Sequence, residues 1–154
     1  MPDLTQVSYC GLYCGLCSIR NRIPRQAAEL RDSMLKEGMD QWGQYIPGFE
    51  GFWKFLNSLP ENEQKCSCRA GCGNPACEIR GCARAKGVDV CPFCAEYPCQ
   101  RIKALAKGYF FMMADAARMK EIGLDAWIAE QEERAKTGFA YVDIRCKPPK
   151  AQDK

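Results

Sequence analysis

The chain of 154 residues contains no histidine. That absence excludes mixed cysteine–histidine zinc sites, histidine general bases and Cys–His nucleophilic pairs together. A zinc ion held by side chains alone is left with four cysteines, or with three cysteines and an oxygen ligand. No apolar run approaches the ~20 residues of a membrane span, so no membrane contact is expected. There is no internal repeat, no glycine-rich phosphate loop and no nucleophile elbow. The opening MPDLTQVSYCGLYCGLC carries Asp3 and no basic stretch. It does not read as a secretory signal, and the expected compartment is the reducing cytoplasm.

What the chain has in abundance is cysteine, twelve in all. Eight fall between Cys66 and Cys99: Cys66, Cys68, Cys72, Cys77, Cys82, Cys91, Cys94 and Cys99. Among them stand Gly71, Gly73, Gly81 and Gly87 with Pro75, Pro92 and Pro98, residues that favour turns over long helices or strands. A segment this poor in apolar bulk does not offset its own ordering entropy by burial. Disulfides are not expected in a reducing compartment, which leaves thiolate–metal coordination. The spacings suit it: Cys77-x4-Cys82 and Cys91-x2-Cys94-x4-Cys99 read as two ligand knuckles, with Cys77, Cys82, Cys91 and Cys94 the expected set. Cys68 and Cys99 are the reserves.

A second group opens the chain. Cys10, Cys14 and Cys17 form C-x3-C-x2-C, with Gly11 and Gly15 between them. Three thiols leave one coordination position, and a cysteine from the middle segment would close it. The same spacing resembles the radical-SAM motif, which holds a [4Fe–4S] cluster with one iron open. The barrel that normally carries that motif is longer than this chain, and no Gly-Gly-Glu-like segment is present. Zinc is therefore the expected metal, with an iron–sulfur protein (electron carrier or small SAM-type enzyme) as the alternative. A thiol–disulfide oxidoreductase using Cys14/Cys17 or Cys91/Cys94 lacks the βαβ alternation that such motifs usually occupy.

The formal net charge of +3 is unevenly spread. Residues 1–64 carry −2, residues 65–103 carry +4 and residues 104–154 carry +1. Two four-thiolate zinc centres, each of charge −2, would cancel the basic middle, so nucleic acid is not the expected partner. Outside the cysteine segment the pattern is helical. Residues 25–38 place Ala27, Leu30 and Met34 on one stripe, with Ala28 and Leu35 beside it. Residues 48–59 place Phe49, Phe52, Trp53, Leu56 and Leu59 on another, and Pro60 ends it. Helices are also expected over 100–107, 109–122 and 124–136, the last with Leu124, Trp127 and Ile128 inward. Alternation at Ala140, Val142 and Ile144 predicts one short strand. Phe110 to Met113 are consecutive and apolar, so a helix over 109–122 would be central or would meet a protein partner, a homodimer being the simplest. Asp115, inside that helix, reads as a carboxylate paired with Arg118 or exposed. No residue qualifies as catalytic.

Two stretches, YCGLYCGLC and RAGCGNPACEIRGCARAKGVDVCPFCAEYPC, together resemble an uncharacterised family of cysteine-rich bacterial and archaeal proteins, domain of unknown function 3795. The likeness extends through IGLDAWIAEQEERAKTGFAY. The family pattern is matched at Cys10, Cys14, Cys17, Cys68, Cys77, Cys82, Cys91, Cys94 and Cys99, which are the candidate metal ligands. Cys72 stands where a glycine is expected, and Cys66 and Cys146 are weaker matches. What the resemblance implies is a cysteine-bound metal, zinc, and no assigned reaction. The expected fold is mainly α: a small helical domain over residues 1–150, wrapped around an irregular cysteine-rich, metal-bound segment, with 151–154 frayed.

Overall fold

The computed structural model of the protein describes residues 2–59 and 67–144. Cys66, Cys146 and the expected frayed end lie outside the described residues. Among those described, seven α-helices and several 3₁₀ turns account for the regular structure, and no strand forms. One isolated antiparallel bridge, Val7 to Tyr13, closes the N-terminal loop. No helix among the described residues is long and apolar enough to cross a membrane.

Helix α1 spans Arg22–Lys36. It starts three residues earlier than expected, because Pro24 falls in the first turn, where its missing N–H has no intrahelical partner to lose. Gly38, at φ 71°, takes the left-handed conformation that ends the helix. Short α2 (Met39–Trp42) and then α3 (Phe49–Ser58) follow. Ala27 and Met34 of α1 pack on Phe49 and Leu56 of α3 in a small separate core, with Phe49 stacked on Trp53 at 5.5 Å. Gly43 sits so close to the Phe49 ring that an added Cβ would lie 2.5 Å from it. The remaining apolar positions of these helices are not buried. Leu30, Phe52 and Phe55 are 47%, 44% and 63% exposed and line an open groove with Ile23 and Leu59. The buried stripe is thus narrower than periodicity suggests, because among the described residues no further element covers the outer flank of the α1–α3 pair.

The main core is assembled from distant parts of the chain. Val7, Tyr13 and Leu16 of the N-terminal loop meet Val90, Phe111, Met119, Trp127, Ile128 and Tyr141. Helices α6 (Met112–Ile122) and α7 (Leu124–Lys136) join through Gly123 alone and supply Met119 and Trp127, both fully buried. Tyr13 meets Trp127 edge-on at 6.2 Å, and Phe111 stacks on Tyr141 at 4.8 Å. Helix α6 starts at Met112, so Phe110 and Phe111 belong to the turn before it and do not follow the helical spread expected of them. Phe111 and Met112 are buried, whereas Phe110 is 61% exposed.

Two further elements differ from expectation. The cysteine segment is not irregular throughout: it contains α4 (Glu78–Ala85), followed at its far end by α5 (Gln100–Ala106). Gly81 hides α4 in the sequence, yet Arg80 and Ala83, three apart, form its buried side. The expected strand near 140–144 is a 3₁₀ turn, Tyr141–Asp143. Asp143 closes that turn by accepting the Ala140 N–H at 3.1 Å, and the Arg22 guanidinium clamps the same carboxylate in a two-point ion pair. Tyr141 is buried and Val142 faces outward.

Trp127 fills the centre of the main core with no exposure, and its indole N–H has no hydrogen-bond partner among the described residues. Trp127→Ala should therefore cost about 3–5 kcal/mol in chemical denaturation. Trp127→Phe, which also removes the unsatisfied donor, should cost well under half of that. The clamp on Asp143 holds its carboxyl down at about 2, against an ordinary 3.8, chiefly through the Arg22 hydrogen bonds. The stabilisation it adds is present at neutral pH and is lost as pH falls from about 4 through about 2. An Asp143→Asn variant should show a flatter unfolding midpoint than wild type across that window.

Candidate functional site

Two groups of cysteines converge on two neighbouring cavities. The smaller cavity, about 30 Å³, is lined by Cys82 of α4, Cys91 and Cys94 of the 3₁₀ turn Cys91–Phe93 and its end, and Cys99 at the start of α5. It is about the size of one water molecule. Lys86 and Glu96, joined as an ion pair, also line it, with Ile102 as its apolar floor. The larger cavity, about 270 Å³, is lined by Cys10, Cys14 and Cys17 of the N-terminal loop together with Cys68 and Cys72. Its walls include Tyr13, Tyr109 and Tyr141, and exposed Ile19 and Val142 line it toward solvent.

The loops carrying these thiols are positioned by backbone hydrogen bonds and by arginines. The Cys17 N–H bonds the Cys14 carbonyl at 3.1 Å, closing the 3₁₀ turn Cys14–Leu16. Leu16 is buried in the main core and fixes that turn in place. The Cys94 N–H bonds the Cys91 carbonyl in the same way at 2.9 Å. The two C-x2-C units thus share one local conformation, and one bond joins their loops directly, from the Cys91 N–H to the Tyr9 carbonyl at 2.7 Å. Gly11 makes the close approach feasible. It adopts φ 93°, and a Cβ there would stand 3.0 Å from the Pro92 ring.

The loop bearing Cys68 and Cys72 has almost no ladder of its own. Arg80, buried on α4, reaches into it and donates to the carbonyls of Cys68, Cys72, Asn74 and Pro75 at 2.7–3.3 Å. Arg69 ties the same region to the N-terminus, donating to the Leu4 and Val7 carbonyls at 2.8 and 2.9 Å and to the Asp89 carbonyl at 2.7 Å. Its guanidinium also lies 4.5 Å from the centre of the Tyr9 ring. Arg84 in turn donates to the Arg69 carbonyl at 2.9 Å. The basic excess of the middle segment is therefore spent largely on backbone carbonyls, not only in compensating thiolate charge.

The nine candidate ligands Cys10, Cys14, Cys17, Cys68, Cys77, Cys82, Cys91, Cys94 and Cys99 are all thiols rather than disulfide halves. Among the described residues, no three Cys, Asp or Glu side chains are already drawn together tightly enough to hold an ion. Burial pushes the Cys91 thiol up to about 12, helped by the proximity of Cys10, Cys99, Cys94 and Cys82. Burial likewise pushes Cys10 up to about 11, against a 3.1 Å contact with the Ser8 hydroxyl and a backbone hydrogen bond from Leu12. Cys14 is raised by burial, opposed by a backbone hydrogen bond from Cys68 and by Arg20. Without a metal these thiols are protonated at neutral pH. A thiophilic cation would displace their protons and find N–H and O–H donors already facing sulfur, so the donor set fits a soft or borderline metal.

Spacing and geometry group the thiols differently. Cys77 lines neither cavity; it precedes α4 as its N-terminal flank. Cys99, expected in reserve, stands with Cys82, Cys91 and Cys94 instead. Cys68 lies beside the N-terminal three, as does Cys72, which the family pattern had set aside. The helical turn of α4 separates Cys77 from Cys82, and no reading of knuckle spacing alone could find that. Asp115 is half hidden between α6 and α7, 4.0 Å from Arg134 rather than paired with Arg118. Burial raises its pKa, and one of its oxygens accepts no hydrogen bond. Arg118 is taken by Glu121 and Glu130.

Fold and thiol arrangement together define a small, mainly helical, cysteine-rich protein whose middle segment is laced by arginine–carbonyl bonds. The chain belongs to the family described as Protein of unknown function (DUF3795), whose model matches residues 6–104. That match takes in all nine candidate cysteines and ends before α6 and α7, where the resemblance in sequence had been expected to continue. No curated protein and no solved structure matches the chain.

Arg80 satisfies four carbonyls with one side chain, so Arg80→Ala should cost about 3 kcal/mol. It should also lower amide protection across residues 68–77 in hydrogen exchange. Arg80→Lys should restore less than half of either, because an ammonium cannot span the fork.

Proposed function

We propose that the protein is a small metal-binding module of the reducing cytoplasm, in which zinc held by four cysteines orders the middle segment for a structural or interaction role. The observation that supports this most directly is the convergence of Cys82, Cys91, Cys94 and Cys99 on one small cavity of about 30 Å³. Four thiols contributed by α4, a 3₁₀ turn and the start of α5 are the ligand set of a closed site. Such a site leaves no open position for chemistry at the ion and contributes on the order of 10 kcal/mol of apparent binding energy at neutral pH. Ile102 and Ala83, both buried, supply apolar lining to the cavity, which favours thiolate–metal bonding over hydration of the ion.

Elemental analysis of purified protein tests this with paired variants. Cys94→Ser should remove about one zinc ion per chain and lower the melting temperature. Cys77→Ser, outside the cavity, should leave metal content unchanged. Equal zinc in wild type and Cys94→Ser would show that this cavity is not the site. Chelation should release the ion more readily as pH falls, since protons compete with the metal for sulfur and burial favours the protonated Cys91 thiol.

A further inference from the structure

The larger cavity has no counterpart in the closed zinc site. Five cysteines line it where four suffice, and its volume of about 270 Å³ is roughly nine times that of its neighbour. A single ion bonded to four sulfurs at about 2.3 Å would fill only a small part of such a space. The loops around it are held by the surrounding frame. Leu16 and Tyr13 pin the Cys14–Cys17 turn to the main core, and the Tyr141 hydroxyl receives the Tyr13 N–H at 2.8 Å. Arg80 fixes the Cys68–Cys72 loop from the other side. What remains adjustable is the single Cα–Cβ torsion of each cysteine, which swings sulfur without moving backbone.

We infer that the Cys10, Cys14, Cys17 and Cys68 cavity takes a polynuclear iron–sulfur cluster, while the Cys82, Cys91, Cys94 and Cys99 cavity takes one ion. The inference deepens the metal-binding proposal and rests on it. A cluster bridged by inorganic sulfide spreads its ligands over several iron atoms, so its four cysteines stand further apart than around one ion. Donors aimed at sulfur are the protein's means of stabilising and tuning such a cluster. Here Ser8 contacts Cys10, and backbone hydrogen bonds reach Cys10 from Leu12 and Cys14 from Cys68. Buried Arg20 adds a cation to the lining, and the three tyrosines give the cavity an aromatic wall. Assembly consumes ferrous and ferric iron with sulfide, and the four thiols give up their protons as Fe–S bonds form. Cys72 is the fifth thiol and is not required.

The test uses the full chain, incubated anaerobically with iron salts, a thiol reductant and sulfide, then desalted. Iron, zinc and acid-labile sulfide are counted beside the visible spectrum. Wild type should hold about four irons and four sulfides, together with about one zinc when zinc is supplied. Cys17→Ser, whose half-buried position spares the core, should lose iron, sulfide and colour while keeping zinc and its helical circular dichroism. Cys94→Ser should lose zinc and keep the cluster, and Cys72→Ser should keep both. Two zinc ions with no sulfide would overturn the cluster while leaving the zinc site standing. Iron lost from Cys94→Ser and retained in Cys17→Ser would overturn the assignment of cavities. A protein that takes up neither metal would overturn the cluster and the zinc module together.

Discussion

The interaction on which the rest depends is a guanidinium held among backbone carbonyls. A thirty-residue stretch with little sheet or long helix has many carbonyl groups that need donors. Arg80 and Arg69 between them serve seven such groups, at Cys68, Cys72, Asn74, Pro75, Leu4, Val7 and Asp89. A planar fork with five N–H donors suits this task, because one side chain reaches carbonyls that no ladder could align. The cavity lined by Cys68 and Cys72 depends most on this network, because Arg80 holds the carbonyls of both residues. A backbone hydrogen bond from Cys68 to the Cys14 sulfur adds a direct tie to the N-terminal loop.

The second constraint is economy of core. Only Val90, Pro92 and Ile102 of the region between Cys68 and Ile102 are almost wholly buried large side chains, and each lies next to a thiol-bearing turn. The cysteine segment is therefore not wrapped passively by helices. It places one or two apolar anchors in the shared core, and polar bonding orders the stretches between them. The α1–α3 pair stands apart with its own small core and contributes no cysteine to either cavity.

The helical plan was legible in the sequence because periodicity at α1, α3, α5 and α7 follows directly from apolar spacing. Burial was less legible. Leu30 and Phe52 share the stripe of Ala27 and Phe49, yet whether a stripe is covered depends on neighbours that periodicity does not specify. Helix α4 was hidden by Gly81 and its flanking cysteines, and the apparent strand at 140–144 yielded to a carboxylate that closes a turn. Cysteine spacing does not reveal how the thiols group around the two cavities. Cys77 and Cys82 are four residues apart in intervening chain, but α4 begins between them, and Cys99 is brought in only by the start of α5. Cys72 departs from the family pattern, yet its loop position places it on the cavity wall.

The arginine lacing has a consequence for how the protein meets changes in its surroundings. Guanidinium groups keep their charge across the whole range of acidity a cell presents, whereas thiols exchange protons for metals within it. Frame and thiols thus answer to different variables. A change of pH that alters the protonation of sulfur leaves the donors of the arginine–carbonyl bonds charged and in place. The register between the loops is set by groups whose charge does not follow pH.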